Sequence, residues 1–188
     1  MSAASYTTQN DLLLHNLMEF YKNEDYLETM LKIITGESKI SLRIVDWFAT
    51  NYAKKYFTLY TIQDSSGYDR RFKVYVDYKL KLKAYSKKRF DPFCRWDRIS
   101  IPYKGSTHIE TTIGQLNFFK WTLENNVIQY IADHYDDIEK DMNNRNSTSK
   151  RKEVLVENTK TRKKREELSV SATKSIKKEK VEIVVNFH

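Results

Sequence analysis

The chain has 188 residues, of which 33 are Lys or Arg and 25 are Asp or Glu, giving a formal net charge of +8. Its single cysteine, Cys94, excludes an intramolecular disulfide and a zinc site built from several cysteines. No window approaches the roughly 20 apolar residues of a membrane span, and the first residues lack the pattern of a signal peptide. We therefore expect an intracellular protein that is neither secreted nor embedded in a membrane.

The first third of the chain predicts three helices. Asn10 or Asp11 is placed to cap the first of them, because short polar side chains accept hydrogen bonds from the free N–H groups of a first turn. Apolar residues of the second helix repeat at helical spacing up to Gly36, a residue type that commonly ends helices. Ser41 then begins the third helix.

The segment that follows is less clear. Residues 56–62 have the composition of a strand, and turn-forming residues follow at 64–67. Residues 71–86 alternate between apolar and charged side chains, as a strand does, but Phe72, Val76, Leu80 and Ala84 also form an i, i+4 row. Because this segment contains no Gly or Pro and is long for a strand, a helix is favoured.

Pro92 interrupts that segment, and residues 98–110 predict a short hairpin. Thr111 or Thr112 then caps an apolar helix that is predicted to run to Ile131, and a shorter acidic helix follows at residues 136–142. The fold class predicted is therefore mostly α. A helical single domain at residues 10–144, with a small β-hairpin element, follows a flexible N terminus at residues 1–9.

Residues 145–188 have a different composition from the body. They carry 13 basic and 6 acidic side chains and contain neither Tyr nor Trp, which predicts a disordered basic C-terminal tail. A cluster typical of nuclear import or polyanion binding consists of Arg162, Lys163, Lys164 and Arg165. A β-prone segment, which begins at Val181 and ends at Phe187, is suited to pairing with a sheet edge of the body or of a partner protein.

Charge is segregated along the body. Residues 70–104, the basic-aromatic block, carry twelve basic side chains against only three acids, Asp77, Asp91 and Asp97. Both flanking segments are acidic, with six basic and nine acidic side chains at residues 1–69 and two against seven at residues 105–144. Such segregation requires either a polyanionic partner or a charge-matched contact within the protein.

The basic-aromatic block is the candidate nucleic-acid-binding site. Lys and Arg neutralise phosphates with an affinity that falls as salt rises, while exposed aromatic rings stack on unpaired bases. The predicted phosphate contacts are Lys79, Lys81, Lys83, Lys87, Lys88, Arg89, Arg95 and Arg98. Phe93 and Trp96 are predicted to stack or to wedge between bases. The alternative is that the aromatics belong to the core and the lysines only solvate its rim.

Catalytic patterns are weak. There is no Gly-rich phosphate loop and no paired histidine or cysteine motif, so no catalytic residue, metal site or cofactor is predicted. Cys94 has basic neighbours but no histidine nearby in sequence, which favours a packed, inert thiol over a nucleophile. Asp133, Asp136 and Asp137 are the candidates for a Mg²⁺-dependent nuclease, but they fall on several faces of one helical stretch, which favours a solvated or ion-paired surface.

Several segments carry a resemblance to known proteins. They occur in order at residues 41–47, 51–55, 82–88, 90–95 and 111–121, and the closing Val-Val-Asn-Phe is also similar. Together they resemble the immediate-early infected-cell protein family of iridoviruses and other nucleocytoplasmic large DNA viruses. The resemblance implies a viral protein made early in infection that acts in genome expression or handling, in the viral factory or nucleus of the infected cell. It implies no catalytic residues.

Two functions of different classes follow. The first is a non-enzymatic viral regulatory protein that binds DNA or RNA through the basic-aromatic block. The second is a protein-interaction adaptor that recruits transcription or replication machinery through residues 181–187 and the apolar face of residues 113–131. The sequence leaves the choice between DNA and RNA, the sequence preference and the oligomeric state open.

Overall fold

The computed structural model describes residues 8–63, 66–105, 107–154 and 177–180. The protein is mostly helical and has two small antiparallel β-sheets, which confirms the predicted fold class. The elements in chain order are α1 (Gln9–Phe20), α2 (Glu24–Thr35), α3 (Leu42–Trp47), a π-helical turn (Phe48–Tyr52), α4 (Ala53–Lys55), β1 (Leu59–Gln63), β2 (Asp69–Lys73), α5 (Val74–Arg89), β3 (Arg98–Tyr103), β4 (Thr107–Thr112), α6 (Ile113–Glu124), α7 (Val127–Asp133), α8 (Tyr135–Val154) and β5 (Lys177–Lys180).

Helix α1 begins two or three residues earlier than predicted. Its cap is Thr8, whose hydroxyl accepts from the Asp11 N–H at 3.2 Å while the Asp11 carboxylate accepts from the Thr8 N–H at 3.0 Å. This reciprocal capping box corrects the choice of Asn10 or Asp11 as the cap, since Asp11 is the third residue inside the helix. The predicted flexible segment 1–9 lies outside the described residues except for Thr8 and Gln9, which form the start of α1.

Three other helix boundaries are confirmed. Gly36 ends α2 in the left-handed conformation with φ of 82°, which costs a glycine little because it has no Cβ. The Ser41 hydroxyl caps α3 by accepting from the Ile44 N–H, and Thr112 caps α6 by accepting from the Gln115 N–H. The sequence therefore specifies these starts and stops locally.

The ambiguous segment is divided between a strand and a helix. Residues 69–73 form β2, which pairs with β1 from Leu59↔Lys73 to Gln63↔Asp69, and the chain turns directly into α5 at Val74. The favoured helix is therefore correct from Val74 onwards, and residues 71–73 are the exception. The Asp77 carboxylate accepts a 2.7 Å hydrogen bond from Trp121 Nε1, which ties the first turn of α5 to α6.

The second sheet has three strands in the order β3-β4-β5. The β3–β4 hairpin confirms the one predicted at residues 98–110, with Ile101 opposite Ile109. Strand β5 pairs antiparallel with β4, from Thr107↔Lys180 to Glu110↔Lys177. Four residues of the predicted tail therefore belong to a sheet, and α8 extends ten residues past the predicted boundary at 144. The Arg162–Arg165 cluster and residues 181–187 lie outside the described residues.

Helix α6 is the centre of the core. Leu116, Phe118 and Phe119 are inaccessible to solvent, and the Tyr21 hydroxyl of the α1–α2 connection donates to the Leu116 carbonyl at 2.8 Å. The long helix predicted to reach Ile131 is wrong in its length, because α6 ends at Glu124 and α7 begins after Asn126, whose φ is 53°. The apolar face of residues 113–131 is buried in the core, so it is not a surface that a partner can reach.

Candidate nucleic-acid interface

The most exposed aromatic side chain of the basic-aromatic block lies in the connection between α5 and β3. This connection, residues 90–97, is defined here as the site loop. Phe90 anchors it in the core at 1% exposure, next to Trp121 and Phe118. The Asp91 N–H donates to the Gly114 carbonyl, and the Asp91 carboxylate accepts from the Phe93 N–H at 2.8 Å. The loop therefore has a fixed start on the N-terminal turn of α6.

Buried polar side chains of α6 and its cap hold the backbone of the site loop and the last residue of α5. The Gln115 amide donates to the Pro92 carbonyl at 3.2 Å, and the Asn117 amide donates to the Arg89 carbonyl at 2.9 Å. The Thr112 hydroxyl donates to the Cys94 carbonyl at 3.4 Å. The sequence analysis selected Thr112 only as a helix cap and did not select Gln115 or Asn117. Polar side chains inside an apolar helix could have indicated these contacts, because such groups are buried only with hydrogen-bonding partners.

Close packing adds to these hydrogen bonds. A Cβ placed on Gly114 would lie 2.9 Å from the Cys94 Cβ and 3.0 Å from the Lys88 carbonyl oxygen. Cys94 is 4% exposed, and its thiol lies 3.5 Å from the Lys88 carbonyl. The prediction of a packed thiol is confirmed. Gly114 is required here because only a residue without a side chain lets the loop lie this close to α6.

Beyond this anchored part the loop exposes an aromatic ring and a cation. Trp96 is 67% exposed, and the Arg95 guanidinium lies over its ring, 5.8 Å from the centroid. Phe93 is half-buried beside them. A large exposed ring on a backbone that is fixed by hydrogen bonds is available for contact with a ligand at little further ordering cost.

The loop, α5 and α3 enclose a cavity of about 370 Å³. Four predicted site residues line it: Lys87, Phe93, Arg95 and Trp96. The remaining lining residues are Asp46, Thr50, Tyr78, Leu82, Phe90 and Asp91. Lys88 lines an adjoining depression with Lys87, Phe93 and Trp96. The structure thus brings together five of the ten predicted residues around one opening.

Two carboxylates face this cavity, and sequence reasoning did not select either of them. Burial, together with the nearby Asp91 carboxylate, raises the pKa of Asp46 to about 6, although Lys87 acts in the opposite direction. Burial also raises the pKa of Asp91, against the hydrogen bond from the Phe93 N–H and the attraction of Lys87. Burial and then these two acids raise the pKa of Tyr78 to about 12. The cavity therefore disfavours additional negative charge in its interior.

The other predicted cations are distributed around α5 and β3. Lys79 and Lys83 are exposed one turn apart, whereas Lys81 and Arg89 are half-buried. Arg98 extends from β3 and pairs with Glu110 at 3.5 Å. The block is thus divided between a cluster at the cavity and a row along α5.

Two of the predicted cations form ion pairs within the block and its hairpin. Lys88 pairs with Asp97 at 2.6 Å and Arg98 pairs with Glu110, and the Lys88 and Asp97 side chains are more than half exposed. Exposed pairs of this kind contribute about 0–1 kcal/mol. A phosphate can therefore replace the carboxylate at small cost.

The acidic helix α8 has its own basic partner. Asp141 pairs with Lys55 and accepts hydrogen bonds from Trp47 Nε1 at 3.1 Å and from the Tyr56 hydroxyl at 3.2 Å. These contacts lower the pKa of Asp141 even though its burial favours a higher value. The contacts of Asp141 join α8 to α3 and to the end of α4.

The three carboxylates considered for a nuclease, Asp133, Asp136 and Asp137, are exposed, and Asp133 accepts from the Gln129 amide at 2.9 Å. Within the described ranges, no group of three or more His, Cys, Asp or Glu side chains is arranged to hold a metal ion. In the same part of the chain, no helix combines the length and the apolar character needed to cross a membrane.

The fold and this site define a mostly helical protein whose exposed cations and rings surround a partly acidic cavity. A family of unknown function (DUF7197) matches residues 2–187, and the chain belongs to this family. It is similar to an uncharacterized protein, L507, of Acanthamoeba polyphaga mimivirus, with 42% identity over 154 residues. The match covers 79% of this chain and 58% of the mimivirus protein, so the chain spans less than two thirds of that relative. No solved structure matches the chain.

These comparisons confirm the predicted kinship at a broader level than the one proposed from sequence. The chain is a viral protein of a giant-virus family. The finer resemblance, to the immediate-early infected-cell protein family, is not what the comparisons identify.

Proposed function

We propose that the protein binds single-stranded DNA or RNA through the cavity rim and the exposed face of α5, without catalysing a reaction. In this proposal it acts early in infection, in the expression or handling of the viral genome, within the viral factory or nucleus of the infected cell. The Arg162–Arg165 cluster would add a second, sequence-independent contact to phosphates.

The observation that carries the proposal is the position of Trp96. Its ring is 67% exposed, the Arg95 guanidinium lies over it, and the backbone that presents it is anchored on α6. Stacking on such a ring is worth about 1–3 kcal/mol per base, and it requires an unpaired base. Lys87 and Lys88 lie on the same opening, where they would meet the phosphates that flank a stacked base.

The alternative, that the lysines only solvate the core, explains part of the block. Phe90 is core, and Lys81 and Arg89 are half-buried. It does not account for the grouping of the exposed Trp96 ring with Lys87, Lys88 and Arg95 around one opening.

The salt dependence of binding tests the proposal. The variant Lys87→Ala, Lys88→Ala, Arg89→Ala should bind a fluorescent single strand more weakly, with a slope of log K against log salt that is smaller by about 2, because each phosphate contact contributes about 0.7. Lys22→Ala, Lys39→Ala, Lys140→Ala is the matched control, since it removes the same charge from exposed positions outside the site. Equal affinities and slopes for the two triple variants would exclude the block as the binding surface.

Catalysis is tested separately. Incubation of the protein with supercoiled plasmid and Mg²⁺ should leave the plasmid uncut. Nicking that disappears in Asp133→Asn, Asp136→Asn, Asp137→Asn would instead support the nuclease.

A different surface favours the adaptor as a second candidate function. Phe57 is 88% exposed and has φ of 49°, a conformation that is uncommon for residues other than glycine. With Leu59 and Val76 it lines an apolar groove of about 520 Å³ between α4, β1 and α5. The charged residues on this groove are Lys54 and Lys73. An apolar floor between two lysines is complementary to an amphipathic peptide segment that carries Asp or Glu beside its apolar residues.

Panning a random peptide library on the full chain tests this candidate. Selected peptides should combine apolar residues with Asp or Glu, and they should fail to bind the variant Phe57→Ser, Val76→Ser. Selection of basic peptides, or binding that this variant retains, would contradict it. The partner contact predicted for residues 181–187 stays a prediction, and deleting residues 181–188 should leave groove binding unchanged.

A further inference from the structure

We infer that the cavity beside the site loop receives one unstacked nucleobase that carries an exocyclic amino group, and that Asp46 accepts a hydrogen bond from this group. The inference rests on the proposed function and specifies which part of the bound strand the cavity recognises. Thymine and uracil lack an exocyclic amino group, so the cavity would discriminate against them.

The walls of the cavity are those of a base-binding pocket. The rings of Tyr78, Phe90, Phe93 and Trp96 line it, and its volume of about 370 Å³ lies within the range of small-ligand sites, about 300–1,000 Å³. A planar base between aromatic side chains buries its faces and leaves its edge for hydrogen bonding. Leu82 completes the apolar lining.

The cavity contains two carboxylates, Asp46 and Asp91, as hydrogen-bond acceptors beside the donors Tyr78, Lys87 and Arg95. The Asp91 carboxylate already accepts from the Phe93 N–H. The Thr50 hydroxyl donates to the Asp46 backbone carbonyl at 2.7 Å and not to the Asp46 carboxylate. No hydrogen bond from a described residue contributes to the environment of the Asp46 carboxylate, which lines the cavity. A partly desolvated carboxylate gains when a ligand amino group donates a hydrogen bond to it.

Carboxylates recognise the amino groups of bases by accepting from them, as Asp and Glu do with the N4 amino group of cytosine. The cations are placed for the rest of a nucleotide. Lys87 and Arg95 line the same cavity, and Lys88 lies on the adjoining depression. The charges that act on Asp46 are Asp91 and Lys87, while Arg95 and the neutral Tyr78 hydroxyl line the same cavity. The negative phosphates of the strand would therefore bind at the basic rim. The neutral edge of the base, which carries the donating amino group, would lie inside the cavity.

Two fluorescent strands test the inference, an all-thymine strand and the same strand with one central cytosine. The full chain should bind the cytosine strand about tenfold more tightly at pH 7.5, which is the size of discrimination that one good base contact gives. Asp46→Asn should reduce this preference to about twofold or less, whereas Asp136→Asn, an exposed acid outside the site, should leave it unchanged. Trp96→Ala should weaken the binding of both strands, because its ring is the predicted stacking surface and also a wall of the cavity.

The outcomes separate the two proposals. Equal binding of both strands, with a normal salt slope that the Lys87, Lys88, Arg89 triple variant reduces, would overturn the base pocket and leave the proposed function standing. An unchanged affinity in the triple variant would overturn the proposed function. Cytidine monophosphate that binds as tightly as the cytosine strand would show that the cavity serves a free nucleotide, which overturns recognition of a base within a strand.

Discussion

Replacing Asp46 by Asn should stabilise the protein at neutral pH. The folded protein holds the Asp46 carboxyl with a pKa of about 6, compared with its ordinary value of 3.8. A carboxyl whose pKa is raised on folding contributes stability that is fully present below pH 3.8 and is lost as the pH rises through 6. A shift of about two pH units at about 1.4 kcal/mol each amounts to roughly 3 kcal/mol at pH 7.5. The neutral Asn amide has a similar size and avoids this cost.

The measurement is the free energy of unfolding from urea titrations of wild type and Asp46→Asn at several values between pH 4 and pH 8. The difference between the two proteins should grow from near zero at pH 4 to about 2–3 kcal/mol at pH 7.5. Asp136→Asn is the control for removing an exposed acid. A difference that is constant across this range, or an Asp46→Asn protein less stable than wild type at pH 7.5, would show that the Asp46 carboxylate is not held in an unfavourable environment.

Three further predictions concern the stability of the fold. Gly114→Ala should lower the free energy of unfolding by about 1–3 kcal/mol, because the added Cβ would clash with Cys94. It should also speed labelling of the Cys94 thiol by Ellman's reagent. A gain in stability of about 1 kcal/mol, the usual effect of Gly→Ala in a helix, would contradict this close packing. Ser86 has φ of 62° and ψ of 165°, so Ser86→Val should lose about 1–3 kcal/mol in urea unfolding while Ser86→Gly does not. Asp141→Ala should lose about 1–3 kcal/mol, because Trp47 Nε1 loses its acceptor, and this loss should shrink as the pH falls below 4, as followed by thermal unfolding at each pH.

The helix boundaries that depend on local interactions could be predicted from the sequence. The Ser41 and Thr112 caps and the Gly36 stop depend on interactions within three or four residues, and the sequence displays them directly. The start of α1 was misplaced because Thr8 and Asp11 satisfy each other reciprocally, so that Asp11 serves inside the first turn and not as the cap. The sequence therefore locates the region in which α1 begins, but it does not show whether Thr8 or Asp11 is the helix cap.

The elements that tertiary contacts decide were not predictable in the same way. Residues 71–86 fit the periodicity of a strand and also that of a helix. Contacts with α6 favour the helix, because Trp121 Nε1 donates a hydrogen bond to Asp77 and the Trp121 ring packs against Tyr78. The break between α6 and α7 has a similar origin. Asn125 donates to the Trp121 carbonyl and its own carbonyl accepts from the Tyr60 hydroxyl, so a residue of β1 holds the helix end.

Only part of the candidate site could be predicted from the sequence, for the same reason. Its cations and rings are contiguous in sequence, and composition alone selects them. Asp46 precedes the block by more than twenty residues and belongs to an apolar helix that the sequence assigns to the core. Only the packing of the π-helical turn, which follows α3, against α5 places the Asp46 carboxylate in the cavity with Lys87. A search for buried acids without a local donor would find it, but burial has to be known first.

Two acids outside the basic-aromatic block, Asp141 and Asp46, lie in opposite environments. Asp141, on the acidic helix, is held by Lys55, Trp47 and Tyr56, and these contacts lower its pKa, so it is stable as an anion where it lies. Asp46 has the opposite environment, because burial raises its pKa and no hydrogen bond from a described residue contributes to it. One carboxylate therefore stabilises the body and the other costs stability at neutral pH. A loss of stability at neutral pH is expected where a carboxylate serves to bind a ligand. If stability alone decided the residue at this position, the neutral Asn would be favoured over Asp. The stability gain of Asp46→Asn and its loss of base preference are thus two consequences of the same partly desolvated carboxylate, and they should appear together.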